Sequence, residues 1–134
     1  MSVSTSTGEF LGTGRRKTAV ARVRLKAGSG TITINDRPLD EYFTIHTDRE
    51  AVLAPLTATG NRDKVDLRIT CTGGGNTGQS GACKLGIARA IKLFDTAAEE
   101  ALRQNSFLTR DGRMKERKHY GLRGARRGTQ FSKR

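Results

Sequence analysis

Apolar and polar residues alternate along "TAVARVRLK" (Thr18–Lys26). Ala19, Ala21, Val23 and Leu25 fall on one side, Arg22, Arg24 and Lys26 on the other. A period of two predicts a half-buried strand with a cationic outer face. "AGSG" reads as a turn, and "TITIN" (Thr31–Asn35) as the return strand with Ile32 and Ile34 inward. "RPLDEYF" starts with a Pro-marked turn and predicts one helical turn. Asp48 is placed to cap a short helix, "REAVLAPL", which Pro55 and Gly60 limit. "VDLRITCT" (Val65–Thr72) alternates again and predicts a third strand, with Val65, Leu67, Ile69 and Cys71 inward.

A glycine loop, "GGGNTGQSG" (Gly73–Gly81), comes next. After it the period changes from two to three-and-four. Ile87, Ile91, Phe94, Ala98 and Leu102 form an apolar stripe, with Lys84, Lys92, Glu99 and Arg103 off it. That spacing predicts the longest helix, from about Ala82 to Asn105. "TRDGRMKERK" (Thr109–Lys118) is expected to include a last, charged edge strand, and no regular structure is expected from Gly121 onward. No internal repeat is visible. These elements predict a single sheet with helices on one side, a two-layer α+β domain carrying a basic tail. The expected division is a disordered leader at 1–9, an α/β domain at 10–120 and an extended tail at 121–134.

Charge changes this picture from a fold to a partner. The chain has 134 residues, enough for about one domain, and a formal net charge of +12. A charge that large points to nucleic acid, an anionic membrane or an acidic protein. It is unevenly spread: residues 110–134 hold ten Lys and Arg against two acids. The last 13 residues, "LRGARRGTQFSKR", hold five cations, no acid, and only Leu122 and Phe131 as large apolar groups. Ordering each residue costs roughly 1–2 kcal/mol of backbone entropy, so such a segment is either a frayed end or is ordered by something outside the chain. Its glycines rule out a good amphipathic helix, which a membrane surface would require. Two cysteines do not make a disulfide framework, no apolar run reaches transmembrane length, and the N-terminus lacks a secretory pattern. A reducing, cytoplasmic setting is expected.

Several motifs look chemical and are weighed against plainer roles. "GGGNTG" places Gly73, Gly75 and Gly78 in the G-x-G-x-x-G spacing of a dinucleotide loop, between a strand and a helix. The second parallel strand with its acidic end is missing, since Asp95–Glu100 falls inside the expected helix. The loop keeps a simpler use, because glycine backbone amides approach phosphates closely at a helix N-terminus. "GTGRRKT" (Gly12–Thr18) is not a nucleotide loop: it lacks G-K-S/T and leads into a strand. Its Arg15, Arg16 and Lys17 form a compact cation cluster suited to phosphates. Cys71 and Cys83 lie far from His46 and His119 and show no C-x-x-C pair, so they read as core residues and no metal is expected. No catalytic constellation stands out, and no enzyme activity or cofactor is expected.

The residues expected to meet RNA group by segment. Arg15, Arg16 and Lys17 lead in, Arg22 and Arg24 follow on the strand, and Gly74, Gly75 and Gln79 sit at the glycine loop. Arg110, Arg113, Arg117 and Lys118 continue the set, and Arg123, Arg126 and Arg127 complete it in the tail. Arginine pairs bidentately with phosphate and stacks on unpaired bases. From Gly121 to Arg134 the tail spans roughly 45 Å if extended.

"GTGRRKTAVARVRL", "GGGNTGQSGACKLGIARAI", "TRDGRMKERK" and "ARRGTQFSKR" together resemble ribosomal small-subunit protein nine in its bacterial form, from about Phe10 to Arg134. The resemblance implies a two-layer sandwich with a left-handed βαβ crossover. It implies a place in the head of the small subunit, bound to small-subunit rRNA and neighbouring head proteins, with no membrane and no small-molecule substrate. It implies that the tail reaches the peptidyl-tRNA site, where Lys133 and Arg134 contact the tRNA anticodon stem-loop. Gly128 and Thr129 stand where the family often has Ala-Pro, which leaves the free tail more flexible. Cys83 stands at a usually aliphatic position, in keeping with a core role. Two other classes compete with this reading: a nucleotide-binding enzyme using Gly73–Gly78, and a free-standing RNA chaperone.

Overall fold

A computed structural model describes residues 2–3, 8–113, 117, 120, 121, 123 and 127. The elements in chain order are β1 (Ser2–Val3), β2 (Phe10–Arg16), β3 (Ala19–Ala27), β4 (Ile32–Ile34), β5 (Arg37–Pro38), α1 (Leu39–Tyr42), α2 (His46–Thr59), β6 (Val65–Thr72), α3 (Asn76–Phe94), a 3-10 turn (Thr96–Ala98) and α4 (Glu99–Gln104). One mixed sheet has the order β1-β2-β3-β6-β4-β5. Among the described residues only the β4–β6 pairing is parallel; β1–β2, β2–β3, β3–β6 and β4–β5 are antiparallel. Helix α3 lies across β2 and β3, with α2 beside it. The fold is α+β, as the periodicity indicates.

The alternation in β3 and β6 is realised residue by residue. Ala19, Ala21, Val23 and Leu25 are buried, as are Val65, Leu67, Ile69 and Cys71, while Arg22, Arg24, Lys26 and Arg68 are exposed. The α3 stripe supplies the other wall of the core through Ile87, Ile91 and their small neighbours Ala82, Ala88 and Ala90. Each large aliphatic buried there contributes roughly 1.5–3 kcal/mol.

Four expectations are corrected. First, Thr31–Asn35 is not the hairpin return of β3. Its core, β4, runs parallel to β6, which inserts between β3 and β4. The β3–β4 loop is shaped by a side chain from β6: the Asp66 carboxylate accepts the amides of Ser29, Gly30 and Thr31 at 3.0–3.1 Å. Second, the first long strand does not begin at Thr18: Phe10–Arg16 is itself a seven-residue strand. Its inward positions Gly12 and Gly14 are buried without being apolar. A Cβ on Gly14 would overlap the Ala82 carbonyl and the Gly86 amide, and one on Gly12 would overlap the Gly86 carbonyl. Glycine here lets α3 pack directly on the strand backbone.

Third, the long helix starts inside the glycine-rich stretch, at Asn76, and stops at Phe94. Asp95 turns extended, and its carboxylate accepts the Ala97 amide, which separates α3 from the short α4. Fourth, α2 runs through Pro55 and ends at Gly60 in the left-handed conformation. Its N-cap is Ile45; Asp48 lies one turn inside, buried, accepting a bond from the Ser80 hydroxyl at 3.3 Å. The single helical turn expected after Pro38 is α1. Thr109–Arg113, expected to enter an edge strand, carries none. Within the expected leader, the Ser2–Val3 backbone pairs with Leu11 and Phe10 of β2.

Candidate nucleic-acid interface

Two cationic regions emerge from this topology. The first is the face of the sheet opposite the helices. Strict alternation puts Arg15 of β2, Arg22, Arg24 and Lys26 of β3, and Arg68 of β6 on that face, all exposed. The register sets Arg24 directly opposite Arg68, and Arg22 between Thr13 and Thr70. Like charges facing each other across strands repel. An anion laid over the face would relieve that repulsion. Arg68 was missed from sequence because its strand was not known to lie beside β3. The alternation of "VDLRITCT" already placed it outward.

The second region lies at the end of the sheet where β2 turns into β3. Arg16 and Ala19 pair across this tight turn, leaving Lys17 and Thr18 at its tip. Lys17 is exposed at φ +53°, a left-handed conformation that costs an L-residue energy. The glycine loop packs directly on this turn. Gly73 (φ +76°) and Gly74 (φ +63°) bring backbone so close that a Cβ on Gly73 would sit 2.6 Å from the Thr18 carbonyl oxygen. Gly75 then begins α3, whose first turn has no acidic residue and no side-chain cap bond. The first amides of any helix have no intrahelical acceptor and carry partial positive charge, which suits a phosphate.

A chain of hydrogen bonds fixes the loop. Asn35 donates to the Tyr42 hydroxyl at 3.1 Å, Tyr42 donates to Gln79 Oε1 at 2.5 Å, and Gln79 Nε2 donates to the Gly73 carbonyl at 3.0 Å. Burial raises the Tyr42 pKa above its usual value, so the hydroxyl stays a donor. Both ends of the Gln79 amide are thus engaged within the protein.

The third contributor is the stretch after α4. Asp111 takes a bidentate bond from Arg113, at 3.0 and 2.7 Å, and an ion pair from Arg16 at 3.7 Å. The Arg113 bonds hold the Asp111 carboxyl far below the ordinary carboxylate range. Arg16 also donates to the Thr77 carbonyl at 3.4 Å, so its guanidinium ties the α3 N-terminus to this stretch. Arg16, Lys17, Thr18, Gly74, Gly75, Asp111 and Arg113 line an open concavity of about 840 Å³. A smaller one of about 310 Å³ adjoins it, with Arg15, Lys84, Phe107 and Arg110 on its walls.

The structure therefore brings Arg15, Arg16, Lys17, Gly74, Gly75, Gln79, Arg110 and Arg113 to one end of the sheet. Arg22 and Arg24 lie on the open face. Arg117, Arg123 and Arg127 are exposed, with the Arg123 amide bonded to the Arg127 carbonyl at 2.8 Å. Lys118, Arg126, Lys133 and Arg134 lie outside the described residues.

The dinucleotide reading fails on architecture. Gly78 is helical, and no strand follows α3 among the described residues. No group of three or more His, Cys, Asp or Glu side chains able to hold a metal occurs among the described residues. No described helix is long and apolar enough to cross a membrane. An open cationic sheet face beside a glycine-and-arginine cradle defines a nucleic-acid-binding protein of the α+β class. A family model described as ribosomal protein S9/S16 matches residues 14–134. The small ribosomal subunit protein uS9 of Rhodopirellula baltica is 57% identical over 127 residues, covering 95% of this chain and 93% of the relative. The chain belongs to the ribosomal protein S9/S16 family and is a structural, non-enzymatic component of the ribosome.

Proposed function

We propose that the chain is a constituent of the small ribosomal subunit that binds small-subunit rRNA in the subunit head. Its tail then reaches the tRNA in the peptidyl site. The observation that carries the rRNA reading is the meeting of three sequence-remote segments at one end of the sheet. Arg16, Lys17, Gly74, Gly75 and Arg113 line one concavity, and Arg15 and Arg110 line the smaller one that adjoins it. In this reading Arg15, Lys17, Arg110 and Arg113 meet phosphates, and the Gly74 and Gly75 backbone admits one closely. Arg22, Arg24 and Arg68 hold a second stretch of backbone on the open face. Arg16 and Gln79 hold the cradle in shape through their protein partners. Arg117, Lys118, Arg123, Arg126 and Arg127 extend the path, and Lys133 and Arg134 end it at the anticodon stem-loop. The name of the 57% identical relative supports the small subunit. Neighbouring head proteins are the protein partners, and the chain works in the cytoplasm wherever the ribosome does.

Ultraviolet crosslinking in cells, with sequencing of the attached RNA, tests this. Crosslinks should concentrate in small-subunit head rRNA, with a minor tRNA set that disappears when Lys133 and Arg134 are removed. Crosslinks scattered over messages would favour a free RNA chaperone. A tRNA set that survives trimming would remove those two residues from the contact.

A further inference from the structure

Cys71 and Cys83 are the only cysteines in the chain. Cys71 is the last inward residue of β6, and Cys83 lies on the second turn of α3. Both are buried free thiols, 5% and 0% exposed. Their sulfurs are 3.1 Å apart. A covalent S–S bond is about 2 Å long, so a shift of roughly 1 Å separates contact from bond. The Asn35 side chain grips the Cys71 backbone at both its amide and its carbonyl, at 2.9 and 3.1 Å, which holds this sulfur in place. Between the two cysteines runs the whole glycine loop with the first turn of α3.

We propose that Cys71 and Cys83 form an oxidisable dithiol, and that its disulfide, formed by a hydroperoxide, clamps the base of the glycine loop. Cys71 is the attacking sulfur, since it is the less buried and lies at the strand end. Contact with the Cys83 thiol lowers the Cys71 pKa, while the same contact with burial raises that of Cys83. The Cys71 thiolate attacks one peroxide oxygen, the O–O bond breaks, and a sulfenic acid and hydroxide result. Hydroxide takes the Cys83 proton and becomes water. The Cys83 thiolate attacks the Cys71 sulfur, the S–O bond breaks, and the departing hydroxide takes up the proton first lost from Cys71. Two thiols and one hydrogen peroxide thus give one disulfide and two waters, with sulfur oxidised and peroxide oxygen reduced. Closing this loop constrains the unfolded chain and ties strand to helix. The proposal does not depend on the RNA reading.

The test uses the full-length reduced protein treated with hydrogen peroxide. The expected product is a monomer lighter by two hydrogens, whose two thiols refuse iodoacetamide after denaturation until dithiothreitol restores them. Its Tm should rise by about 10 °C. Amide exchange over Gly73–Gly78 should slow about tenfold or more, because opening the loop base would require breaking the clamp. Persistent free thiols, a disulfide-linked dimer, or sulfinic and sulfonic masses in place of the disulfide would overturn the proposal. So would an internal disulfide that leaves loop exchange unchanged. In Cys83→Ser, Cys71 should stop at the sulfenic acid and be trapped by dimedone, and failure to trap it would reject Cys71 as the attacking sulfur. The wild-type measurements decide the rest even if that variant folds poorly.

Discussion

The two faces of this sheet follow opposite rules. On the inner face of β3, Ala19, Ala21, Val23 and Leu25 are at most 1% exposed, and β2 opposite presents Gly12 and Gly14. On the outer face of the same strands, Arg15, Arg22, Arg24 and Lys26 stand in solvent, and Arg24 confronts Arg68. The inner face is selected for volume, down to the absence of a methyl group. The outer face tolerates a repulsion that folding does not need. Residues one position apart should therefore fail in different assays, one in unfolding and the next in RNA binding.

The largest expected effect is on the inner side. Gly14→Val would drive a branched side chain into the backbone of Ala82 and Gly86, which cannot rotate away. We expect a loss of about 3 kcal/mol or more in urea denaturation. A loss below about 1 kcal/mol would mean that α3 backs off the sheet easily, and the contrast between faces would weaken.

On the outer side the matching change is Arg22, Arg24 and Arg68 to Gln together. Removing three phosphate contacts should flatten the salt dependence of RNA binding by about 2–3 in log–log slope. Stability should move by only about 0.5 kcal/mol in total, with the loss of the Arg24–Arg68 repulsion acting in the favourable direction. Filter binding across salt concentrations and a denaturant titration separate the two readouts. An unchanged slope would take RNA off this face.

Asp66 is an exception that sharpens the comparison, because it lies on the outer face yet shapes the chain. The bond from the Thr31 amide, with those from Ser29 and Gly30, lowers its carboxyl pKa below the ordinary value. A depressed folded pKa contributes stability above the unfolded value of about 4, and that contribution is lost as pH falls through the folded value below it. Asp66→Asn keeps the acceptor and removes the charge. Its Tm should fall below wild type at pH 7, and the gap should close in melts below about pH 4. A gap that persists unchanged in acid would mean that shape, not charge, holds the loop.

Much of the inner face was legible because its residues are apolar at period two. The alternation in β3 and β6 and the stripe through Ile87 and Ile91 all translate directly into burial. Strand β2 was illegible for the same reason that it matters: its inward residues are glycines, which carry no hydrophobic signal. The place of β4 was illegible because "AGSG" is a good local turn, and no local signal reveals that β6 pairs between its two flanks. The break at Asp95 hid inside an unbroken apolar stripe. At the interface, charge alone indicated Arg15–Lys17 and Arg113. That Arg16, Lys17 and Arg113 share one concavity with Gly74 and Gly75 required the fold.

Lys17 offers the finest test, since both rules act on one residue. Its φ of +53° strains the backbone, and its side chain passes over the start of α3, with Cδ 3.8 Å from where a Cβ on Gly78 would be. A glycine would relieve a left-handed penalty of about 1 kcal/mol but would also enlarge the entropy of the unfolded chain by a similar amount. Lys17→Gly should therefore leave the unfolding free energy unchanged or raise it by up to about 1 kcal/mol, while reducing the RNA salt slope by about 0.7–0.9. A stable variant with a reduced slope would show that lysine occupies this turn for its charge, against the preference of the backbone. A variant that loses stability would instead give the lysine stem a packing role over α3, and an unchanged slope would place its ammonium away from phosphate.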